Sequence, residues 1–231
     1  MSQPAAVIPL RDGRHGKSRL APGFDEARRS AMIAAMARHV VEVALAAPSI
    51  GDVIVVTRDR SSVQDLLGDL PATVIEQPES SAGLNGALAF ARHQVMSGTA
   101  NGMLILHADL PLLGPADIEE ILDQPADVVI AADRHHVGTN ALLLRWDRAV
   151  PPSVAQAESF RFHFDEESFR AHLAEALANG LTPATVLQPG TELDLDTLGD
   201  WNLLPPDLRQ ELDPTLPPSM CRAGFAAALS L

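Results

Sequence analysis

Three aspartates and a pair of basic residues are the side chains here whose types and spacing could do chemistry together. Asp109 follows the aliphatic run Met103-Leu104-Ile105-Leu106 and precedes Leu110-Pro111. An unbroken apolar run between turn formers reads as a central strand covered on both faces, and Pro111 stops it. Asp109 is thereby displayed at the carboxyl end of a strand, the edge where open α/β sheets bind ligands. Asp194 and Asp196 alternate with Leu193 and Leu195, so an extended backbone turns both carboxylates to one side and both leucines into the core. Such a set can hold one or two hard divalent cations, Mg2+ for choice, against phosphates. The same residues also suit plainer roles, Asp109 as a helix cap and the alternating pair as a solvated strand edge.

Phosphate would need positive charge, and the first loop carries it. Arg11, Arg14, Lys17 and Arg19 put four of the 17 basic residues into nine positions, spaced by Gly13 and Gly16. Lys17 and Arg19 flank Ser18, a spacing that lets ammonium and guanidinium converge on a polyphosphate while the glycines let the backbone approach. The glycine spacing is not that of a Walker A loop, and a solvated basic loop would look alike. Gly83-Leu84-Asn85 and Gly138-Thr139-Asn140 read as small polar turns beside strand ends, suited to bonding a base, a ribose or a carboxylate.

Alternating elements must position these groups. Strands are expected over 5–10, 52–57, 72–75, 103–106, 127–132, 138–144 and 185–187. Helices are expected over about 25–46, 61–67, 87–95, 115–122 and 168–179, the last closed by Gly180. The opening β-α-β-α-β order predicts a parallel sheet with right-handed crossovers. Residues 1–204 read as one domain and 205–231 as a Pro-rich extension. Its apolar end, Phe225 to Leu229, is expected to pack on the body or on a second subunit, the latter giving a homodimer.

Composition removes several classes. A formal charge of −13 argues against nucleic-acid binding, which needs a positive face to displace counterions. Free nucleotides remain compatible, since a magnesium nucleotide brings its own cation. No stretch approaches a membrane span, and Ala5 to Leu10 is too short for a signal core, so a cytoplasmic protein is expected. The single Cys221 excludes an internal disulfide and a zinc ribbon.

Taken in order, Lys17-Ser18-Arg19-Leu20, Gly83-Leu84-Asn85, Ala108-Asp109-Leu110-Pro111, Gly138-Thr139-Asn140-Ala141-Leu142, Ser168-Phe169 with His172, and Leu193-Asp194-Leu195-Asp196-Thr197 form a set. That set resembles the 2-phospho-L-lactate guanylyltransferase family of coenzyme F(420) biosynthesis, also called phosphoenolpyruvate guanylyltransferase, over roughly residues 5 to 200. The resemblance implies an α/β fold, a single Rossmann-like mixed-sheet nucleotidyltransferase domain of the glycosyltransferase-A type. It implies that a phosphorylated three-carbon acid, phosphoenolpyruvate or 2-phospho-L-lactate, attacks the α-phosphorus of GTP and releases pyrophosphate.

By position, the resemblance makes Lys17, Arg19 and Asp109 the catalytic set, with Lys17 and Arg19 on the triphosphate and Gly83, Leu84 and Asn85 by the nucleoside. Thr139, Asn140, Ser168 and His172 would meet the acceptor, and Asp109, Asp194 and Asp196 would hold Mg2+. Where the family reads Phe-Gly-x-Gly, this chain has Phe164-Asp165-Glu166-Glu167. Asp165 is expected to cap the helix that follows, with Glu166 and Glu167 in its first turn and all three turned to solvent. Two other readings stand beside this one. The first is a related nucleotidyltransferase acting on 3-phosphoglycerate or molybdopterin, though the first loop of a molybdopterin enzyme is missing after Leu10. The second is a non-catalytic nucleotide-binding regulator.

Overall fold

In the computed structural model the strands are β1 (Ala5–Pro9), β2 (Val53–Thr57), β3 (Thr73–Glu76), β4 (Gly102–Leu106), β5 (Val128–Ala132), β6 (Thr139–Arg145) and β7 (Pro183–Val186). The helices are α1 (Glu26–Ala46), α2 (Arg60–Leu67), α3 (Gly83–Ser97), α4 (Pro115–Asp123), α5 (Pro151–Ser159), α6 (Ser168–Ala178), α7 (Pro189–Glu192), α8 (Leu198–Leu203) and α9 (Pro206–Leu212). The structure describes residues 2–10, 17–213 and 215–216. Arg11, Gly13, Arg14 and Gly16 of the basic loop, Cys221 and the apolar end Phe225 to Leu229 lie outside the described residues.

The strands form one seven-stranded sheet in the order β3-β2-β1-β4-β6-β5-β7. β1 to β4 run parallel, as the opening element order predicts, and β6 is antiparallel to both β4 and β5, which makes the sheet a mixed one. The reason is the link between β5 and β6. Residues 133–138 are too few for a crossover and can only reverse the chain, with Asp133 accepting from Val137 N at 2.8 Å and Asp133 N donating to Gly138 O. The mixed sheet implied by the family resemblance is the one observed.

Each strand sends alternate residues to opposite faces. Ile8, Val55, Leu104 and Leu106 pack with α1, α2 and α4, while Val7, Ile105, Ile130 and Leu142 pack with α3, α5 and α6. Helix starts follow local chemistry: Asp25 accepts from Arg28 N at 2.8 Å and Asp59 from Ser62 N at 3.0 Å, while α4 and α5 carry Pro in the first turn. Helix α5 falls where no element was expected.

A third cluster positions the chemistry. Leu20, Phe24, Met32 and Met36 pack with Leu193, Leu195, Trp201 and Leu212, so the segment after Lys17, the Asp194–Asp196 segment and α9 share one core. Leu195 is fully buried. We expect Leu195→Ala to lower stability by about 2–5 kcal/mol, the range for emptying a buried leucine site, and to weaken divalent-cation binding as the flanking carboxylates loosen. Denaturant melts with and without Mg2+ check both parts.

Candidate active site

The carboxyl ends of β1 and β4, the start of β6 and the 193–196 segment meet at one edge of the sheet. Asp109 follows β4, and its backbone carbonyl accepts from Leu195 N at 3.1 Å, which brings the second acidic segment beside it. One carboxylate oxygen from each of Asp109, Asp194 and Asp196 lies within 4.8 Å of the others. The alternation seen in the sequence holds, with Leu193 and Leu195 buried and both aspartates partly exposed.

Lys17 lies across this cluster, its Nζ paired with both Asp109 and Asp196. Burial works against the ammonium charge, but the two carboxylates more than offset it and hold the Lys17 pKa above its usual range. Burial likewise favours protonated Asp109, yet Lys17 and His107 outweigh it and keep that carboxyl below the usual range. Asp194 goes the other way. Burial, then the Asp109 and Asp196 charges, push its pKa up to about 6.

Asp109 Oδ1 is buried with no hydrogen-bond partner among the described residues. An unpartnered carboxylate oxygen converging with two more oxygens is a donor set that fits a hard cation. The raised Asp194 pKa gives a sign for the pH dependence. In the metal-free fold its ionisation is held back until pH reaches about 6, which costs stability as pH rises from the ordinary carboxylate range to that point, and a bound cation favours the ionised form. Mg2+ should therefore raise the melting temperature at pH 7.5 and act about tenfold more weakly at pH 5, where the proton competes. Equal Mg2+ midpoints in thermal melts at the two pH values would exclude Asp194 from the donor set.

The other expected site residues divide. Arg19 is exposed on the short 3-10 turn Ser18–Leu20 that follows Lys17. Gly83, Leu84 and Asn85 form the first turn of α3 and not a turn before it, with Gly83 at φ 79° where the chain enters the helix. The Asn85 amide is engaged across the cleft: Oδ1 accepts from Phe164 N at 2.8 Å and Nδ2 donates to Asp165 Oδ2 at 2.9 Å.

That contact corrects the capping expectation for Asp165. The residue before α6 is Glu167, in the left-handed region at φ 55° and ψ 32°, and it makes no side-chain cap. Asp165, Glu166 and Glu167 are exposed, as expected. A left-handed Glu is a conformation that glycine adopts without penalty.

Thr139, Asn140, Ser168 and His172 are all buried. The Asn140 amide donates to Thr191 O at 2.8 Å and holds α7. His172 is 0% exposed, with Nδ1 3.0 Å from Thr139 Oγ1 and Nε2 accepting from His163 N at 2.9 Å. Both ring nitrogens are thus occupied within the protein, which sets His172 one layer behind Thr139.

Two supporting residues were missed. Asp200 accepts from Asp196 N, Thr197 N and Thr197 Oγ1 and pairs with Arg134, so the α8 capping box fixes the backbone of a candidate metal ligand. Its signal was present as Thr197-x-x-Asp200. His107 sits two residues before Asp109 with its ring 5.2 Å from Phe164 and its Nε2 buried without a partner among the described residues. Burial pushes the pKa of this ring below the usual imidazole range.

The mixed sheet thus carries an acidic cluster and a lysine at its carboxyl edge. The chain aligns with a crystal structure from Desulfovibrio desulfuricans G20 assigned to the nucleotide-diphospho-sugar transferases, at 15% identity over 88% of this chain and 86% of that one, with a TM-score of 0.69. It also aligns with a Mycobacterium tuberculosis H37Rv protein in complex with manganese, at 17% identity over 87% of this chain and 97% of that one, with a TM-score of 0.51. At these identities the likeness speaks for the fold.

The sequence carries the rest. The family model described as "Guanylyl transferase CofC like" matches residues 4–200, and the chain belongs to that family. The phosphoenolpyruvate guanylyltransferase of Rubrobacter xylanophilus is 35% identical over 200 residues, which is 84% of this chain and 90% of that protein. The chain is accordingly an enzyme, a nucleotidyltransferase. No helix among the described residues is long and apolar enough to cross a membrane.

Proposed function

We propose that this enzyme transfers GMP from GTP to phosphoenolpyruvate or 2-phospho-L-lactate with release of pyrophosphate, as a step in coenzyme F(420) biosynthesis. The observation that carries the reading is the convergence of Asp109, Asp194 and Asp196 on Lys17 in a chain whose relative from Rubrobacter xylanophilus is a phosphoenolpyruvate guanylyltransferase.

The acceptor's phosphate is already an anion, so a phosphate oxygen attacks the α-phosphorus without a general base. The bond from that phosphorus to the bridging oxygen breaks in line, and the electron pair leaves on pyrophosphate. Lys17, with Arg19 at the mouth, neutralises the triphosphate, and the first turn of α3 from Gly83 to Asn85 lies by the nucleoside. Thr139 and Ser168 supply donors to the acceptor at the start of β6 and of α6. Asp109, Asp194 and Asp196 would hold Mg2+, which when bound supplies charge neutralisation at the phosphates. Catalysis on this reading is positioning plus preorganised charge.

The test is pyrophosphate release with GTP, ATP, CTP and UTP against phosphoenolpyruvate, 2-phospho-L-lactate and 3-phosphoglycerate, each with and without Mg2+. GTP with either of the first two acids should give Mg2+-dependent release. Release only with 3-phosphoglycerate would overturn the acceptor assignment, and equal rates with all four nucleotides would overturn the guanylyl assignment.

A further inference from the structure

Behind the proposed acceptor site lies a chain of hydrogen bonds whose direction the geometry fixes. His163 N is a backbone amide and can only donate, and it donates to His172 Nε2 at 2.9 Å. Nε2 must therefore present its lone pair. A neutral imidazole carries one proton, so that proton sits on Nδ1. Nδ1 lies 3.0 Å from Thr139 Oγ1, so the histidine donates and the hydroxyl oxygen accepts. Thr139 is 1% exposed, and among the described residues its hydroxyl makes no other hydrogen bond. Its own proton is left to point away from His172, towards whatever lies in front.

The surroundings hold the ring in this state. Phe160 stacks on His172 at 6.2 Å with 13° between the planes, and Phe164 meets it edge-on at 4.6 Å. His163, beside it, is engaged with Glu175 at 3.0 Å. Burial, reinforced by His163 and His107, pushes the His172 pKa down to about 3, so the ring stays neutral at any pH at which an enzyme works.

The chain also points to the right place. β6 pairs Ala141 with Leu106, and His107 N donates to Asn140 O. Continuing that register puts Thr139 alongside Ala108, next to Asp109 at the edge of the acidic cluster.

We propose that His172 is a positioning residue that makes the Thr139 hydroxyl an obligate donor to an anionic acceptor, by a relay running from His163 N through the Nδ1–H tautomer. A free threonine hydroxyl can either donate or accept. A hydroxyl that already accepts from a locked imidazole turns its proton outward, and each bond in such a chain strengthens the next. The site thereby favours a phosphate or carboxylate oxygen over a neutral hydroxyl. This role rests on the phospho-acid reading above, but the tautomer does not.

The first measurement uses the wild-type protein. A long-range 1H–15N correlation spectrum of the imidazoles, with His172 assigned by its loss in His172→Gln, should show the proton on Nδ1. A proton on Nε2 would overturn the relay, whatever the substrate. The second is a double-mutant cycle read as KM for phosphoenolpyruvate and for GTP. His172→Phe should raise the acceptor KM about tenfold, as for loss of a hydrogen bond to a charged group, and leave the GTP KM in place. His172→Gln, which has both an acceptor and a donor, should recover most of that loss.

In a Thr139→Val background, His172→Phe should add nothing. Additive effects would make His172 a packing residue only and overturn the proposal. Should His172→Phe not fold, Thr139→Ser against Thr139→Val decides the point, because only serine retains the donor. Equal acceptor KM for those two variants would overturn the proposal. Failure of the wild type to use either phospho-acid would strike the substrate assignment and leave the tautomer result standing.

Discussion

Asp109→Asn is expected to lower Mg2+-dependent turnover by about a hundredfold to ten-thousandfold while leaving the fold in place. The fold should survive because the contact that docks the second acidic segment is made by the Asp109 backbone carbonyl, which the substitution keeps. Turnover should not, because the side chain has two jobs that only a carboxylate performs. Oδ2 pairs with Lys17 Nζ, and Oδ1 is buried with no partner among the described residues, open to a cation. An amide can offer one oxygen, but it carries no charge, and its NH2 would face an ammonium. Removing one negative charge should also relieve Asp194, whose raised pKa owes part of its shift to Asp109. Kinetics at saturating Mg2+ and a thermal melt test the two halves together. Near wild-type turnover in a folded variant would take Asp109 out of the site.

Much of this edge was legible because it depends on local patterns. The run from Met103 to Leu106 is buried on both faces, so its sequence lacks alternation and reads as a central strand. Leu193 and Leu195 are buried for the reason their spacing gives, and the alternation turns the two aspartates out together. Other features depend on partners far along the chain, which no window of sequence contains. Asn85 meets Asp165 across 80 positions, so its amide could not be known to be engaged. His172 lies on a helix with weak polar and apolar contrast, and only the arrival of Thr139 and His163 decides that it is buried and satisfied. Gly83 and Asn85 suit a turn and a helix start equally well, and tertiary packing chose the helix. The direction of β6 rests on the shortness of the 133–138 link, which leaves no room for a crossover helix.

Lys17→Ala is expected to move GTP and the metal in opposite directions, and that sign pattern is what identifies the role of Lys17. The ammonium lies against Asp109 and Asp196, its side chain only 13% exposed, so in the absence of nucleotide its charge opposes a divalent cation at the same carboxylates. Taking the charge away should strengthen Mg2+ binding to the free enzyme by about tenfold, the order expected for one unit charge removed from a partly screened site. The same change removes a cation that the triphosphate needs, so kcat/KM for GTP should fall by about a hundredfold or more. The acceptor KM should move far less, because the acceptor donors are proposed at Thr139 and Ser168.

Backbone geometry adds a control. Lys17 sits at φ 59°, held there as its carbonyl accepts from Leu20 N at 2.9 Å, with Leu20 anchored in the third core cluster. Lys17→Gly removes the charge and relaxes the backbone, whereas Lys17→Ala removes the charge and keeps the strain. If charge is what matters, both variants should lose GTP equally while differing in stability by about 1 kcal/mol. Calorimetric Mg2+ titrations of the free enzyme, together with initial rates against each substrate, separate these effects. A variant with weaker Mg2+ binding, or with equal losses for GTP and the phospho-acid, would show that Lys17 orders the cluster and does not serve the triphosphate.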